Sequence, residues 1–339
     1  MPILIAGGGG YIGIVLAEEL LRAGERVRLF DRFYFGTDLL EGLRKYPGLE
    51  VRRGDVRQIE ASDLEGFTTV VDLAGLSNDP SADLNPALTE EINVSGAARL
   101  VRLAKQAGVS RYLYSSSCSI YGQGEGILSE ESRPNPVSLY ARTKIAAEGA
   151  VLELADPSFC ATVLRNATVF GVAPRMRFDL VVNLMTLYAF KHRKVFVLGG
   201  GEQWRPLIHV RDVARAFRAV LDAPAEQVGG RIFNVGDDEQ NYKVKTVARL
   251  VSTVVAPVTV EEVPQDPDKR SYRVSFERIR AGLGYRAEYG VAHGIREVYD
   301  ALTEGRIEES IRTRTVAFYK HLLDAERLVR EVSIDGRVF

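Results

Sequence analysis

Residues 6–13 read Ala-Gly-Gly-Gly-Gly-Tyr-Ile-Gly, directly after the apolar run Ile3–Ala6 and directly before a stretch, Ile12–Ala23, with helical periodicity. Glycines at 7, 10 and 13 between a first strand and a first helix are spaced for a phosphate-binding turn. Gly7 permits the tight bend, Gly10 lets backbone approach a pyrophosphate, and Gly13 allows the helix to lie close against the strand. The helix N-terminus then offers amide N–H groups and the positive end of its dipole to the phosphates. Tyr11 and Ile12 sit inside the motif and are expected at the same ligand. A flexible glycine turn would look similar, so the residues beyond the motif decide between the two. A second apolar run, Val27–Phe30, ends at Asp31, 18 residues after Gly13. A carboxylate there hydrogen-bonds the adenosine ribose hydroxyls and repels a 2′-phosphate, so NAD is expected in preference to NADP. Arg32, beside it, is the residue through which the extra phosphate could still be accommodated. Asp55-Val56, after the strand-like Leu49–Arg53, stands where the adenine edge would lie, or else makes a turn.

Outward from this motif, short apolar runs alternate with amphipathic stretches. Strands are expected at Val70–Leu73, Tyr112–Ser115 and Ala161–Arg165, and helices at Ile92–Ala107 and Ala141–Ala155. Such alternation predicts a parallel sheet with right-handed crossovers. After about residue 173 the pattern changes. A helix is expected over Asp179–Arg193, a strand at Val195–Val197, a loop at 199–201, a helix over Asp212–Leu221 and a late strand at Ile232–Val235 that rejoins the sheet. The expected fold class is therefore α/β: a Rossmann doubly wound parallel sheet with a smaller α/β substrate-binding C-terminal domain. Its parts are a cofactor domain over 1–172 rejoined by about 208–236, a substrate domain over 173–207 and 237–305, and a helical tail over 306–339. The tail helix, about Glu308–Glu331, alternates Arg and Glu, which reads as a solvated face or a partner contact.

The chain has 339 residues, more than a single core usually serves, so two domains sharing a cleft are expected. Its 44 Lys+Arg balance 45 Asp+Glu, leaving no global charge to attract nucleic acid or an anionic membrane. Cys118 and Cys160 are too few for a disulfide framework, and no Cys/His spacing suggests a metal site. No apolar run reaches the ~18 residues of a membrane span, and the N-terminus lacks the basic start of a signal peptide. A cytoplasmic location is the resulting expectation.

Tyr140 and Lys144 stand four apart in Tyr-Ala-Arg-Thr-Lys, so on a helix both side chains leave one face. An ammonium one turn from a phenol is expected to favour the phenolate and fit Tyr140 for proton transfer near neutral pH. Ser115, Ser116 and Ser117 follow a strand whose carboxyl end should face the ligand crevice. A serine there can hold a reacting oxygen while Tyr140 moves its proton; the bland alternative is a serine-rich turn.

In order, Ala-Gly-Gly-Gly-Gly-Tyr-Ile-Gly, Asp31, Asp-Leu-Ala-Gly-Leu-Ser at 72–77, Asn93, Ser-Ser-Ser-Cys-Ser-Ile-Tyr-Gly at 115–122, Tyr140 to Lys144 and Leu-Arg-Asn-Ala-Thr-Val-Phe-Gly at 164–171 resemble the extended short-chain dehydrogenase/reductase family, in its nucleotide-sugar epimerase/dehydratase branch. The resemblance covers about residues 1–300. It implies NAD(P) on the Rossmann domain and a nucleotide-diphosphate sugar on the smaller one. It also implies Ser117 as catalytic hydroxyl, Tyr140 as acid/base and Lys144 as its partner, with Leu73, Ala74, Gly75, Asn93 and Ser115 lining the cofactor. On the substrate side it points to Ser119, Thr168, Asn183 and Arg205, and to Arg270 with its neighbour Lys269. Gln265 stands where 4-epimerases have that second arginine. The dehydratases' Asp-Glu pair after the catalytic hydroxyl is here Cys118-Ser119, and the Cys/His couple of 3,5-epimerases is displaced. What remains is reversible oxidation at C4: a 4-epimerase, with an NAD(P)H-dependent 4-keto-sugar reductase as the alternative and a non-catalytic dinucleotide sensor behind both. Relatives of this type pair as homodimers through helices that correspond to 92–107 and 141–155.

Overall fold

The computed structural model describes residues 1–338 apart from 265–267 and 269, so the expectations on Gln265 and Lys269 lie outside the described residues. Seven parallel strands form the central sheet. They begin with β1 (Pro2–Ala6), β2 (Arg26–Asp31), β3 (Leu49–Arg53), β4 (Thr69–Asp72) and β5 (Arg111–Ser117), and continue with Cys160–Asn166 and Ile232–Val235. Across the sheet the order is Ile232–Val235, Cys160–Asn166, β5, β4, β1, β2, β3. All neighbours run parallel. Strands such as β1 are buried on both faces, Ile3 and Ile5 in one core and Leu4 and Ala6 in the other, which is why Ile3–Ala6 reads as a continuous apolar run without alternation.

Helix α1 (Tyr11–Arg22) and the helix Val210–Asp222 cover one face, their apolar sides meeting Ile3, Ile5, Leu29 and Val71. The helices Ala97–Gln106 and Leu139–Glu153 cover the other, packing on Leu4, Val70, Tyr112 and Val163. The fold is thus an α/β Rossmann sheet wound on both faces. From β1 the chain proceeds through β2 to β3, then returns to place β4 on the other side of β1. The crevice between β1 and β4 is the topological switch point where ligands of such sheets bind.

The smaller C-terminal part is α/β as well. Trp204–His209 pairs with Thr168–Phe170 and with Asn241–Lys243, and Lys194–Leu198 pairs with Thr259–Val263. Ser271–Val274 pairs in parallel with Gln123–Leu128, which brings residue 270 to the rim of the crevice. A helix over Val181–His192 and another over Val291–Thr303 pack on these strands. The tail helix is shorter than its charge pattern suggested, Thr315–Val332, and is preceded by a tight turn at Ile311–Thr313.

Candidate active site

The glycine turn leaves no room for side chains. Gly7 has φ +76°, and a Cβ there would lie 2.7 Å from the carbonyl carbon of Leu73, on the loop after β4. A Cβ on Gly13 would lie 2.6 Å from the carbonyl oxygen of Gly7. Gly10 caps α1 with extended backbone and no side-chain cap, so the first-turn N–H groups of α1 are left for a ligand. At the end of β2 the Asp31 carboxylate accepts N–H bonds from Gly9 (3.0 Å) and Phe33 (2.6 Å). Burial raises its pKa, and the two amides oppose the shift. Arg32 is committed elsewhere: its guanidinium bonds Asp55 at 2.8 Å and lies over the Tyr34 ring. Burial opposes ionisation of Asp55, but bonds from Arg57 and the Arg32 charge hold it at about 2. Uncapped amides, a carboxylate at the β2 end and a crevice only glycine backbone can line are a donor set that fits a dinucleotide.

One cleft runs from this turn to Ser117, Tyr140 and Lys144. Its walls include Gly7, Gly10, Tyr11, Ile12, Gly13, Asp31, Arg32, Asp55, Val56, Leu73, Ala74, Gly75, Ser115, Ser117, Ser119, Tyr140, Lys144, Thr168 and Arg270. Asn93 is placed differently from the expectation. It sits behind the wall, bonding the Leu76 N–H and carbonyl at 2.8 and 3.1 Å and the Thr143 hydroxyl at 3.2 Å. It therefore fixes the loop after β4 to the helix Leu139–Glu153 and does not face the cleft. A π-turn over Glu91–Gly96 tips it inward, where helical periodicity alone predicted a regular helix.

Ser138 caps the helix Leu139–Glu153 by accepting the Ala141 N–H, and this fixes where Tyr140 and Lys144 point. Lys144 is buried. Its ammonium donates to the Ser115 carbonyl (2.8 Å) and the Tyr114 hydroxyl (3.2 Å), and it lies 5.8 Å from the centre of the Tyr140 ring. Burial lowers its pKa from 10.5 to about 8, although Asp72 and Glu148 pull the other way. The phenol behaves opposite to the expectation drawn from spacing. Burial and the nearby Asp79 carboxylate raise Tyr140 to about 12, against the lowering effects of Arg177, a hydrogen bond with Ser117 and Arg270. In this cleft the ammonium is spent on the β5 backbone, and desolvation outweighs it.

Lys144 predicts a pH effect. Between pH 8 and 10.5 the unfolded chain keeps a proton that the folded chain has released, so folding becomes more favourable as pH rises through that window. Denaturant titrations should show the stability difference between wild type and Lys144→Met rising across it. A flat difference would mean that the lysine is not desolvated.

Two other expected residues are held away from the cleft. Asn183 is wholly buried and accepts the Gly171 N–H at 3.0 Å. It also donates to Tyr11 Oη and the Arg177 carbonyl, so both ends of its amide are spent inside the fold. Arg205 pairs with Asp268 at 2.8 Å and bonds the Trp204 and Arg270 carbonyls, so it positions Arg270 and does not reach the cleft. Arg270 itself faces the cleft, paired with Asp79 and Asp268.

Sequence reasoning missed Arg175 and Arg177, both buried in the cleft wall, together with Asp79, Asn166 and Tyr319. Arg177 pairs with Asp179. Oδ1 of Asn166 and Oγ of Ser119 are buried with no hydrogen-bond partner among the described residues, which leaves two polar atoms for a bound molecule. The Arg-Met-Arg run at 175–177, two arginines framing a buried methionine, was the available signal.

A seven-stranded doubly wound sheet with a glycine turn at its switch point and Ser, Tyr and Lys across the crevice is an enzyme of the extended short-chain dehydrogenase/reductase type. The chain belongs to the NAD dependent epimerase/dehydratase family, whose model matches residues 3–236. A UDP-glucose 4-epimerase of Corynebacterium glutamicum is 29% identical over 310 residues, covering 85% of this chain and 92% of the relative. The structure of MoeE5 in complex with UDP-glucuronic acid and NAD superposes with a TM-score of 0.78 at 27% identity, covering 90% of this chain and all of the other. The dTDP-glucose 4,6-dehydratase DesIV from Streptomyces venezuelae has a TM-score of 0.80 at 22% identity over 90% of this chain and 98% of its own, a likeness of fold alone. Among the described residues, no helix is long and apolar enough to cross a membrane, and no group of His, Cys, Asp and Glu could hold a metal ion.

Proposed function

We propose that this chain is an NAD-dependent epimerase acting on a nucleotide-diphosphate sugar by transient oxidation at C4. The observation that carries the reading is the wall beside the catalytic hydroxyl. After Ser117 come Cys118, buried with its thiol on the Arg165 carbonyl, and Ser119, a buried residue of the cleft wall whose hydroxyl has no partner among the described residues. Neither supplies the acid that elimination of water needs, and the nearby Asp79 is neutralised by Arg270 and bonded by Ser138. When bound, NAD supplies a reversible hydride acceptor for C4. Ser117 holds the C4 oxygen; Tyr140, as the phenolate formed once its own raised-pKa proton has left, receives the C4 hydroxyl proton and later returns it, and Ser119 and Asn166 offer polar atoms to the sugar. Arg270 and Arg177, already paired with carboxylates, line the cleft and can offer guanidinium N–H groups to the diphosphate. Asp31, with Arg32 tied to Asp55, favours NAD over NADP. The relatives' names support a UDP-linked sugar, and the outward faces of 97–106 and 139–153 are where a homodimer would form.

Incubating the protein with NAD and a panel of nucleotide sugars tests the reading by chromatography of the sugars. The expected result is interconversion of C4 epimers without net change in NAD. Stoichiometric consumption of added NADPH with a single product would favour the 4-keto-sugar reductase. Gly13→Ala should lower NAD affinity tenfold or more, about 1.4 kcal/mol, because the new methyl meets the Gly7 carbonyl. Unchanged affinity by calorimetry would remove the glycine turn from the cofactor site.

A further inference from the structure

We propose that the carboxyl-terminal segment 311–319 is a wall of the dinucleotide site that governs how slowly the cofactor leaves, Tyr319 by direct contact and Thr315 by aiming Arg175. The inference rests on the assignment of the cleft to NAD.

The first turn of the tail helix is built into the cleft. Tyr319 lines it together with Asp31, Tyr34, Phe35 and Arg175. Its ring meets Tyr34 edge-on at 6.3 Å and Phe35 at 5.7 Å, while the buried Phe318 packs on Phe35 at 5.2 Å. Arg312 donates to the Phe35 carbonyl at 2.8 Å and pairs with Asp38. On the opposite bank, Arg314 donates to the Phe178 carbonyl at 3.0 Å. The segment therefore ties the loop after β2 to the loop that carries the cleft arginines. Beyond this turn the helix leaves the body, and Leu328, Val329 and Val332 are exposed.

Thr315 is wholly buried. Its hydroxyl accepts a bond from Arg175 at 2.9 Å and donates to Asp179 at 3.0 Å. Arg175 also lies against the Phe35 ring, 3.7 Å from its centre. Two contacts thus fix the guanidinium, yet among the described residues no carboxylate pairs with it and its Nε has no hydrogen-bond partner. A buried cation of this kind is costly until an anion meets it. In the same cleft are the uncapped amides of α1, equally in need of an anion. A diphosphate in the crevice answers both. The ring cluster of Tyr34, Phe35, Phe318 and Tyr319 would close over the adenosine half, so departure requires the segment to detach.

The test measures release of NADH by fluorescence on displacement with excess NAD, with circular dichroism reporting the fold, in wild type, Thr315→Val, Tyr319→Ala, Tyr319→Leu and Leu328→Ala. Tyr319→Leu keeps apolar packing on Phe35 in case the alanine variant unfolds. Thr315→Val and the folded Tyr319 variants are expected to release the nucleotide at least tenfold faster, and Leu328→Ala, on the projecting part of the helix, at the wild-type rate. Wild-type release in folded Thr315 and Tyr319 variants would overturn the proposal, as would equal acceleration by Leu328→Ala. Wild-type protein that binds no NADH at all would instead sink the dinucleotide assignment.

Discussion

Tyr140→Phe should lower turnover by about 10²- to 10⁴-fold, the contribution a positioned proton carrier makes, while NAD affinity stays within a few-fold of wild type. The two effects separate because the phenol oxygen and the ring do different work. The oxygen bonds the Ser117 hydroxyl, and it feels the Asp79 carboxylate and the Arg177 and Arg270 guanidiniums in opposite senses. The ring lies 5.8 Å from the Lys144 ammonium and fills the wall whether or not it carries a hydroxyl. Removing one oxygen leaves Lys144 bonded to Ser115 and Tyr114, and leaves the glycine turn untouched. Steady-state kinetics on the active sugar and calorimetry with NAD check both halves. A fall in kcat of less than tenfold would take the proton-carrier role from Tyr140, and equal loss of turnover and NAD binding would make it structural.

What the sequence revealed of this site depends on how local each requirement is. The glycine turn was legible because three residues within seven positions must lack a side chain, and the steric reason, Gly13 against the Gly7 carbonyl, lies inside the motif. The parallel sheet was legible because strands buried on both faces, such as Ile3–Ala6, read as unbroken apolar runs where half-exposed ones would alternate. Short strands such as Thr168–Phe170 and Gln123–Leu128 were not legible, since their partners are distant in the chain. The direction of polar side chains was lost in the same way. Asn183 and Arg205 have the chemistry of phosphate ligands, but Gly171, Tyr11 and Asp268, contributed by other parts of the chain, claim them first. The Tyr140–Lys144 spacing correctly put two side chains on one face, yet it could not reveal that the β5 carbonyl would hold the ammonium.

The tail shows the converse error. Its alternating charges describe Lys320–Val332 well, where the helix is mostly exposed. The first turn obeys another rule, with Thr315 and Phe318 buried under loops from two distant segments. A charge pattern averaged over the whole helix hides the few positions that matter for the cleft.

The largest effect on stability is expected beneath the serines at the end of β5. Glu148 and Arg165 form a buried pair, joined by bonds of 3.0 and 2.7 Å, each with a side chain only 5% exposed. Ser116 donates to the same carboxylate, and Arg165 also donates to the Tyr121 hydroxyl, which in turn donates to Asn234 on the edge strand Ile232–Val235. Burial alone would depress the guanidinium's pKa, but its bonds to Glu148 reverse the sign and hold the charge. Glu148→Ala strands that charge with a single phenol as partner. Uncompensated buried charges cost about 3–5 kcal/mol, so the melting temperature should fall on the order of 5–10 °C. Arg165→Met should cost a similar amount by stranding the carboxylate. The double variant Glu148→Leu/Arg165→Met removes both charges and should be more stable than either single variant, because replacing a whole buried pair by apolar side chains is often neutral. Because Ser116 precedes Ser117, the Glu148 variant should also loosen the hydroxyl proposed to hold the C4 oxygen and lower kcat beyond what its folded fraction explains. If single and double variants instead melt within about a degree of wild type, this network contributes nothing to the fold, and the placement of Ser117 must rest on β5 alone.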